Sequence, residues 1–177
     1  MEEEISIKYL IEKYPDFWEK QRVEKGTFLY EIGKPIRKIF YCEKGIVRVF
    51  SQHKYHPEKE ITNSFFSEND LIVPVMSLMK KIPSFVNMIA IENCTLQVIK
   101  IENWNKIKNQ EPKLDSILYN VMFHLLDFFY NYQNNNSYKT NIKYKELFAK
   151  FPYLNRVNKN YIAEMLGVDV RTLINNF

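Results

Sequence analysis

The chain has 177 residues, of which 46% are hydrophobic and 15% aromatic, and its formal net charge is +4. This composition excludes a disordered chain and allows one good core with a small satellite domain. Polar residues or proline interrupt the longest apolar runs, which fall short of the ~20 residues that span a bilayer. The acidic start, MEEEISIKYL, lacks a signal-peptide core. We therefore expect a cytoplasmic protein with no membrane partner.

The positive charge is concentrated at the C-terminal end. Residues 1–138 hold 18 Lys and Arg against 18 Asp and Glu, whereas residues 139–177 hold 7 against 3. A basic surplus on a short terminal module is the electrostatic footprint expected for a nucleic-acid partner. Four charges also fit an ordinary solvated surface, so the surplus alone does not decide between the two interpretations.

The N-terminal half has the pattern of a β-rich domain. Residues 2–19 alternate charged with apolar side chains, which predicts a short amphipathic helix that ends or kinks near Pro15. From residue 20 onward, short apolar or alternating runs are separated by turns, and three of the four glycines fall at these breaks. Seven or eight strands at this spacing predict an antiparallel β-barrel or jelly roll, followed by a short helix at 102–110. The fold class is α+β.

Residues 112–132 predict one long helix, because Pro112 suits a first turn and no Gly or Pro follows until Pro152. At ~1.5 Å per residue this helix is about 30 Å long, which a small domain cannot cover on all sides. A second copy of the chain is the natural cover, so we expect a homodimer. The expected interface is the apolar seam at spacings of three and four residues: Leu118, Val121, Leu125, Phe128 and Tyr132.

The segment after this helix changes character. The sequence QNNNSYKTN interrupts the apolar pattern and predicts a hinge. Helical spacing then returns over residues 142–151 and stops at Pro152.

Residues 158–177 have the pattern of two short helices joined by a turn. Ile162 and Ala163 lie on one face of the first helix, and Gly167 permits the positive φ that its end requires. Asp169 can cap the start of the second helix. This combination is typical of a DNA-binding helix-turn-helix. An ordinary helix hairpin that covers the domain needs the same residues and remains the alternative.

The segment YKELFAKFPYLNRVNKNYIAEMLGVDVRTL is similar to the tail of a group of Crp/Fnr-type transcription regulators common in Bacteroidetes. The matching positions are Tyr144, Leu147, Pro152, Val157, Tyr161, Ile162, Ala163, Leu166, Gly167, Thr172 and Leu173. The whole chain resembles that family, which implies a cyclic-nucleotide-binding-like β-barrel, a long dimer helix and a C-terminal helix-turn-helix. Two features differ: the family's Ser-Arg pair, which meets DNA, is Ile174-Asn175 here, and the sequence stops at Phe177, inside or just after the second helix.

The resemblance implies three parts: a sensor domain at 1–110, a dimerisation helix and hinge at 111–138, and a helix-turn-helix region at 139–177 that is short at its C-terminus. On the second helix we expect Arg171 to contact a base and Asn175 to pair with adenine. The remaining expected DNA contacts are made to the phosphate backbone, by Thr172, Lys159 and Arg156.

The resemblance also implies a phosphate-binding cassette at 66–90, with a Gly-Glu pair for the ribose and an Arg for the cyclic phosphate. Here the pair is Val73-Pro74 and the Arg is Ser84. Both changes remove donors that a phosphate needs, so we expect no binding of cyclic AMP. The candidate pocket for another, unknown effector consists of Val73, Ser84, Lys80 and Lys81, although a solvated helix face also explains the two lysines.

No motif indicates an enzyme, a cofactor or a metal centre. His53 and His56 lack a third histidine, and Cys42 and Cys94 stand apart without a ligand spacing. The sequence therefore predicts a dimeric DNA-binding regulator. One alternative is a degenerate member that dimerises without reading DNA. Another is a metal-dependent, cupin-like enzyme, which bound metal near His53 and His56 would support.

Overall fold

A computed structural model describes residues 6–128 and 140–175 of the chain. The N-terminal part is a two-layer β structure, which we call the jelly-roll domain. Its eight strands are β1 (Trp18–Val23), β2 (Phe28–Tyr30), β3 (Lys38–Lys44), β4 (Val47–His53), β5 (His56–Phe66), β6 (Leu71–Ile72), β7 (Asn87–Ala90) and β8 (Cys94–Lys100).

The strands form two four-stranded antiparallel sheets with the orders β1-β8-β3-β6 and β2-β7-β4-β5. Side chains alternate between the two faces of a strand, so the buried residues Leu96 and Val98 of β8 point into the same layer. They meet Phe40, Val47 and Ile72 in a core that both sheets share. Burial of these inward faces holds the sheets together.

The prediction of an antiparallel jelly roll in an α+β chain is confirmed. The closed barrel is not formed, because the strands that the structure describes belong to two separate sheets. Strand β6 was not predicted, because its two residues are too few to show a period.

Seven helices lie within the described residues: α1 (Ile7–Lys13), α2 (Val75–Lys80), α3 (Ile101–Gln110), α4 (Leu114–Phe128), α5 (Thr140–Lys150), α6 (Lys159–Leu166) and α7 (Val170–Asn175). Short 3-10 helices follow α1 at Pro15–Phe17 and α5 at Pro152–Arg156. None of the described helices is both long and apolar enough to cross a membrane.

Helices α1, α3 and α4 cover the outer face of the first sheet. Leu10 of α1, Ile107 of α3 and Leu114 of α4 are fully buried against Ile39 and Ile99. The short N-terminal helix and the helix at 102–110 are thus as predicted, the latter with one more residue at its start. The long helix begins at Leu114 rather than at the first-turn proline. Its predicted end and the first seven residues of the predicted hinge, 133–139, lie outside the described residues. The last two hinge residues, Thr140 and Asn141, belong to α5.

The described part of the C-terminal segment, residues 140–175, is called here the C-terminal module. Its apolar residues Leu147, Leu154 and Ile162 are fully buried. Ile46 and Phe65 of the jelly-roll domain belong to the same buried cluster. The C-terminal module is therefore packed on the jelly-roll domain through a shared apolar core.

Candidate nucleic-acid interface

Helices α6 and α7 are joined by a tight turn that the local sequence explains. The Asn158 side chain caps the start of α6. At the other end Gly167 has a φ of 65°, the left-handed conformation that glycine adopts without strain. The Val168 N–H donates to the Ala163 carbonyl at 3.0 Å, which closes the last turn of α6. The pattern read from the sequence is thus present as two capped helices.

The start and the packing of α7 place its polar residues outward. The Asp169 carboxylate accepts a hydrogen bond of 2.8 Å from the Arg171 N–H. Leu173 is fully buried, whereas Arg171, Thr172 and Asn175 are exposed. The structure therefore brings these three candidate DNA contacts together on one short helix. Ile174 is also outward, with 56% of its surface exposed.

Arg156 lies away from this group and contacts the jelly-roll domain. One of its guanidinium nitrogens donates to both carboxylate oxygens of Glu68, at 2.7 and 2.8 Å, and another lies 3.6 Å from Glu92. Burial disfavours the charged form of Glu68, but hydrogen bonds from Arg156 and from the Gly45 N–H outweigh it and lower the pKa of Glu68. Arg156, which was predicted to contact DNA phosphates, is therefore ion-paired with carboxylates of its own chain.

Lys159 is also engaged within the chain. Its ammonium lies 4.2 Å from the centre of the Phe148 ring, a cation–π distance. Partial burial lowers the pKa of Lys159. Arg156 and Lys159, which were expected to contact DNA phosphates, thus both contact other side chains of their own chain. The sequence could not show this, because their partners are distant in the chain or lie on another helix.

Arg48 joins the C-terminal module to the jelly-roll domain, a role that the sequence did not predict. Its side chain is only 3% exposed. Its guanidinium donates to Glu60, to the Thr62 hydroxyl at 2.8 Å and to Glu164 of α6 at 3.0 Å. The Thr62 hydroxyl in turn donates to Glu164 at 2.7 Å. A buried guanidinium is stable only when its donors are satisfied, and this set satisfies them across two parts of the chain.

The same guanidinium is covered by aromatic rings from both parts. The centre of the Phe50 ring lies 4.5 Å from it and that of Tyr161 lies 4.0 Å from it. Arginine favours such stacking because its planar charge is weakly hydrated. The available sequence signal was an arginine inside the otherwise apolar run IVRVF.

The four residues of the predicted ligand pocket do not converge. Val73 is buried in the core of α1, α3 and α4. Ser84 is buried as well, and its hydroxyl donates to the Val86 carbonyl at 2.7 Å. Lys80 and Lys81 are exposed at the end of α2. The expected pocket is thus divided between the interior and the surface.

Helix α4 has two apolar faces with different surroundings. Leu118 is buried in the core of its own chain, and Val121 and Leu125 pack against the same domain. The described members of the predicted dimer seam thus contact the core of their own chain. The Phe128 side chain and all of Tyr132 lie outside the described part. The outward apolar stripe consists of Tyr119, Phe123 and Leu126, which are 44%, 63% and 54% exposed.

The two histidines considered for a metal site lie at the tip of the β4–β5 hairpin. The ring centres of His53 and His56 are 5.2 Å apart, and His56 lies 3.3 Å from Glu58. Within residues 6–128 and 140–175, no group of three or more His, Cys, Asp or Glu side chains is placed to hold a metal ion.

These features define a jelly-roll domain with a helical C-terminal module packed on it. The family model described as the cyclic nucleotide-binding domain matches residues 20–111. The chain belongs to this family. No curated protein sequence matches the chain.

Solved structures of bacterial proteins share the fold over nearly the whole chain. FixK2 from Bradyrhizobium japonicum has a TM-score of 0.70 at 14% identity, covering 90% of this chain and 82% of that one. The c-di-GMP-responsive global regulator CLP from Xanthomonas campestris has a TM-score of 0.68 at 16% identity, covering 96% and 89%. A CooA mutant from Carboxydothermus hydrogenoformans has a TM-score of 0.69 at 18% identity, covering 98% and 83%. At these identities the likeness shows a common fold.

Proposed function

We propose that this chain is a cytoplasmic, dimeric, DNA-binding transcription regulator of the Crp/Fnr type. The observation that carries the proposal is the pair α6 and α7, in which Arg171, Thr172 and Asn175 point outward from a helix capped by Asp169. A short helix with an exposed Arg and Asn at its outer face has the side chains that read guanine and adenine edges in the major groove.

The dimer in this proposal uses the outward stripe of α4 rather than the inward seam. Tyr119, Phe123 and Leu126 follow one face at spacings of four and three residues, and all three are large and exposed. If a second copy packs on this stripe with two-fold symmetry, the stripes of both protomers are buried against each other. Two reading helices then face two half-sites of an operator.

We also propose that the jelly-roll domain does not bind cyclic AMP. Pro74 stands at the start of α2 and has no N–H to offer a phosphate. Ser84 supplies a buried hydroxyl that is already bonded to the Val86 carbonyl, where the family resemblance implies a guanidinium. A phosphate requires several converging donors, and these two positions supply none that is directed outward.

A second candidate function is a degenerate dimer that no longer reads DNA. The contacts of Arg156 with Glu68 and of Lys159 with Phe148 favour it, because both cations are then less available to phosphates. Arg171 distinguishes the DNA-binding regulator from the degenerate dimer, because it is exposed on α7.

The test is selection of genomic DNA fragments at low salt, followed by fluorescence anisotropy. Wild type should prefer a subset of fragments, and Arg171→Ala should lose about 1–3 kcal/mol of discrimination at one base pair per half-site. Arg22→Ala removes the same charge from the exposed side of β1 and should leave the preference unchanged. Equal binding of all fragments by wild type would favour the degenerate dimer.

A further inference from the structure

A cavity of about 580 Å³ lies where the jelly-roll domain, α4 and the C-terminal module meet. Its walls are formed by residues 64–71, by α4 and by the residues around Phe151. Small-molecule sites typically measure about 300–1,000 Å³. The volume of this cavity lies within that range.

This cavity is separate from the cassette that the family resemblance implied. None of Val73, Lys80, Lys81 and Ser84 belongs to its lining. It lies instead beyond the end of β5, between the jelly-roll domain and the C-terminal module. A ligand here would contact parts of the chain that the cassette does not join.

The walls of the cavity are mostly apolar and come from all three parts. Phe66 and Leu71 belong to the jelly-roll domain, Val121 and Leu125 to α4, and Phe151 to the C-terminal module. Burial of apolar ligand surface against such walls contributes roughly 25 cal/mol per Å². The ligand should therefore have an apolar body of about the size of two or three fused or linked rings.

The charged groups of the lining do not suit an anion. Among the residues that the structure describes, the charged members of the lining are Asp70 and Lys150. Asp70 accepts a hydrogen bond of 2.6 Å from the Ser67 N–H, and Lys150 forms an ion pair of 3.0 Å with Asp127. The described part of the lining contains no arginine, so a phosphate would lack the converging guanidinium donors that it needs there.

The lining of the cavity also contains neutral polar side chains, among them Tyr153. Burial and the nearby charge of Asp70 raise the pKa of Tyr153, so its hydroxyl keeps its proton. The hydroxyl of Ser64 lies in the same lining. Further neutral polar side chains of the lining belong to Ser6, Ser67, Asn69 and Asn120. A neutral ligand with a few polar groups therefore matches the lining better than a charged one does.

We propose that this cavity binds a neutral, largely apolar small molecule, and that its occupation stabilises the docked position of the C-terminal module. The ligand would touch Leu71, Leu125 and Phe151 together, and these contacts exist only while the three parts remain packed. A ligand with higher affinity for this arrangement shifts the population toward it. The regulatory part of the inference rests on the proposed function, whereas the binding itself does not.

The binding test uses N-phenyl-1-naphthylamine, a neutral aromatic amine whose fluorescence rises in apolar surroundings, with the full chain. Wild type should give a saturable rise. Val121→Trp places a large ring in the cavity and should weaken binding by at least about tenfold, or about 1.4 kcal/mol. Ser64→Phe adds a ring from β5, another part of the lining, and should do the same. Tyr55→Trp adds its ring at a 75% exposed position of the β4–β5 hairpin, away from the cavity, and should bind the probe as wild type does.

Two results would overturn the site: no saturable rise with wild type, or equal affinity in wild type, Val121→Trp and Ser64→Phe. Circular dichroism of Val121→Trp and Ser64→Phe shows whether they fold. If either variant folds and binds the probe with the affinity of wild type, the proposed site is rejected. DNA binding is measured separately without the probe. Probe binding without DNA binding would support the site and refute the regulator, whereas DNA binding with no probe response would do the reverse.

The coupling is tested by the thermal midpoint of unfolding. The probe should raise the midpoint of wild type and of Tyr55→Trp, because it binds only the folded chain. It should not raise that of Val121→Trp. The probe should also change the affinity of wild type for its selected DNA fragment, and an unchanged affinity at saturating probe would refute the regulatory part alone.

Discussion

The guanidinium of Arg48 on β4 and the carboxylate of Glu164 on α6 lie 3.0 Å apart, although 116 positions separate them in the chain. Thr62 bonds to both groups, and the Tyr161 ring covers the guanidinium. This pair fixes α6, and with it the turn that leads to α7, against the second sheet. The orientation of the candidate reading helix is thus set by a residue of the jelly-roll domain.

Replacement of Arg48 by Ala should destabilise the whole chain. It removes the donor to Thr62 and one of the two donors to Glu164, and it opens a gap beneath Tyr161. Loss of one partner of a buried ion pair typically costs about 3–5 kcal/mol, and we expect the lower end because Glu60 and Glu164 are partly exposed. The measurement is urea unfolding. Arg22→Ala on the exposed side of β1 should change the free energy of unfolding by less than about 0.5 kcal/mol, and an equal effect of both changes would contradict the role of Arg48.

The ion pair of Arg156 and Glu68 should make docking of the C-terminal module sensitive to acid. Because the pKa of folded Glu68 lies below its ordinary value of 4.5, the contribution of Glu68 to stability is complete above that value and is lost as the pH falls through the lower folded value. The difference in unfolding free energy between wild type and Glu68→Gln should therefore be largest near pH ~7 and shrink below 4.5. Glu24→Gln, at an exposed loop position, is the control, and a difference that grows in acid would refute the prediction.

Phe123→Asp should convert the proposed dimer to a monomer. The change places one charge at each of two symmetry-related positions of the outward stripe, and burial of unpaired charges should raise the dissociation constant by about 100-fold or more. Sedimentation velocity measures the outcome. Tyr55→Asp introduces the same charge at a 75% exposed aromatic residue of the β4–β5 hairpin and should leave the dimer intact. A monomeric wild type at micromolar concentration would remove the basis for this interface.

Cyclic AMP should give no saturable heat in calorimetry with wild type. Ser84→Arg should not create a phosphate site, because residue 84 is buried and its hydroxyl is bonded to the Val86 carbonyl. Forcing a larger charged side chain into this position should instead cost at least about 2 kcal/mol of stability. Lys80→Ala, on the exposed end of α2, is the control for stability. A micromolar dissociation constant for wild type would disprove the prediction.

Local signals in the sequence predicted the turn between α6 and α7 correctly. Gly167 adopts the left-handed conformation and Asp169 caps α7, as their residue types indicate. The direction of the faces of α4 could not be predicted in this way. Leu118 and Phe123 belong to apolar stripes with the same helical period, and only the tertiary fold decides which of them faces the domain.

Ion pairs between residues that are distant in the chain could not be predicted from the sequence either. Arg48 in an apolar strand and Glu164 in a helix are each unremarkable alone, and the sequence contains no periodicity that connects them. The same holds for Arg156, whose basic character suggested phosphate binding until its distance from Glu68 was known. Charge composition indicates how much cationic surface is available, whereas the fold decides how much of it remains for a partner.

The separation of Arg48 from Glu164 also has a consequence for synthesis on the ribosome. Glu60 and Thr62 follow Arg48 within 14 residues, so they are its first partners as the chain emerges. At about 5–20 residues per second, Glu164 is added roughly 6–23 s after Arg48. During that interval the aromatic cover of the arginine is incomplete, because Tyr161 has not yet been made. The second sheet therefore reaches its final packing only after translation of the C-terminal module, and a ribosome stalled before α6 should hold a jelly-roll domain that proteases cut more readily.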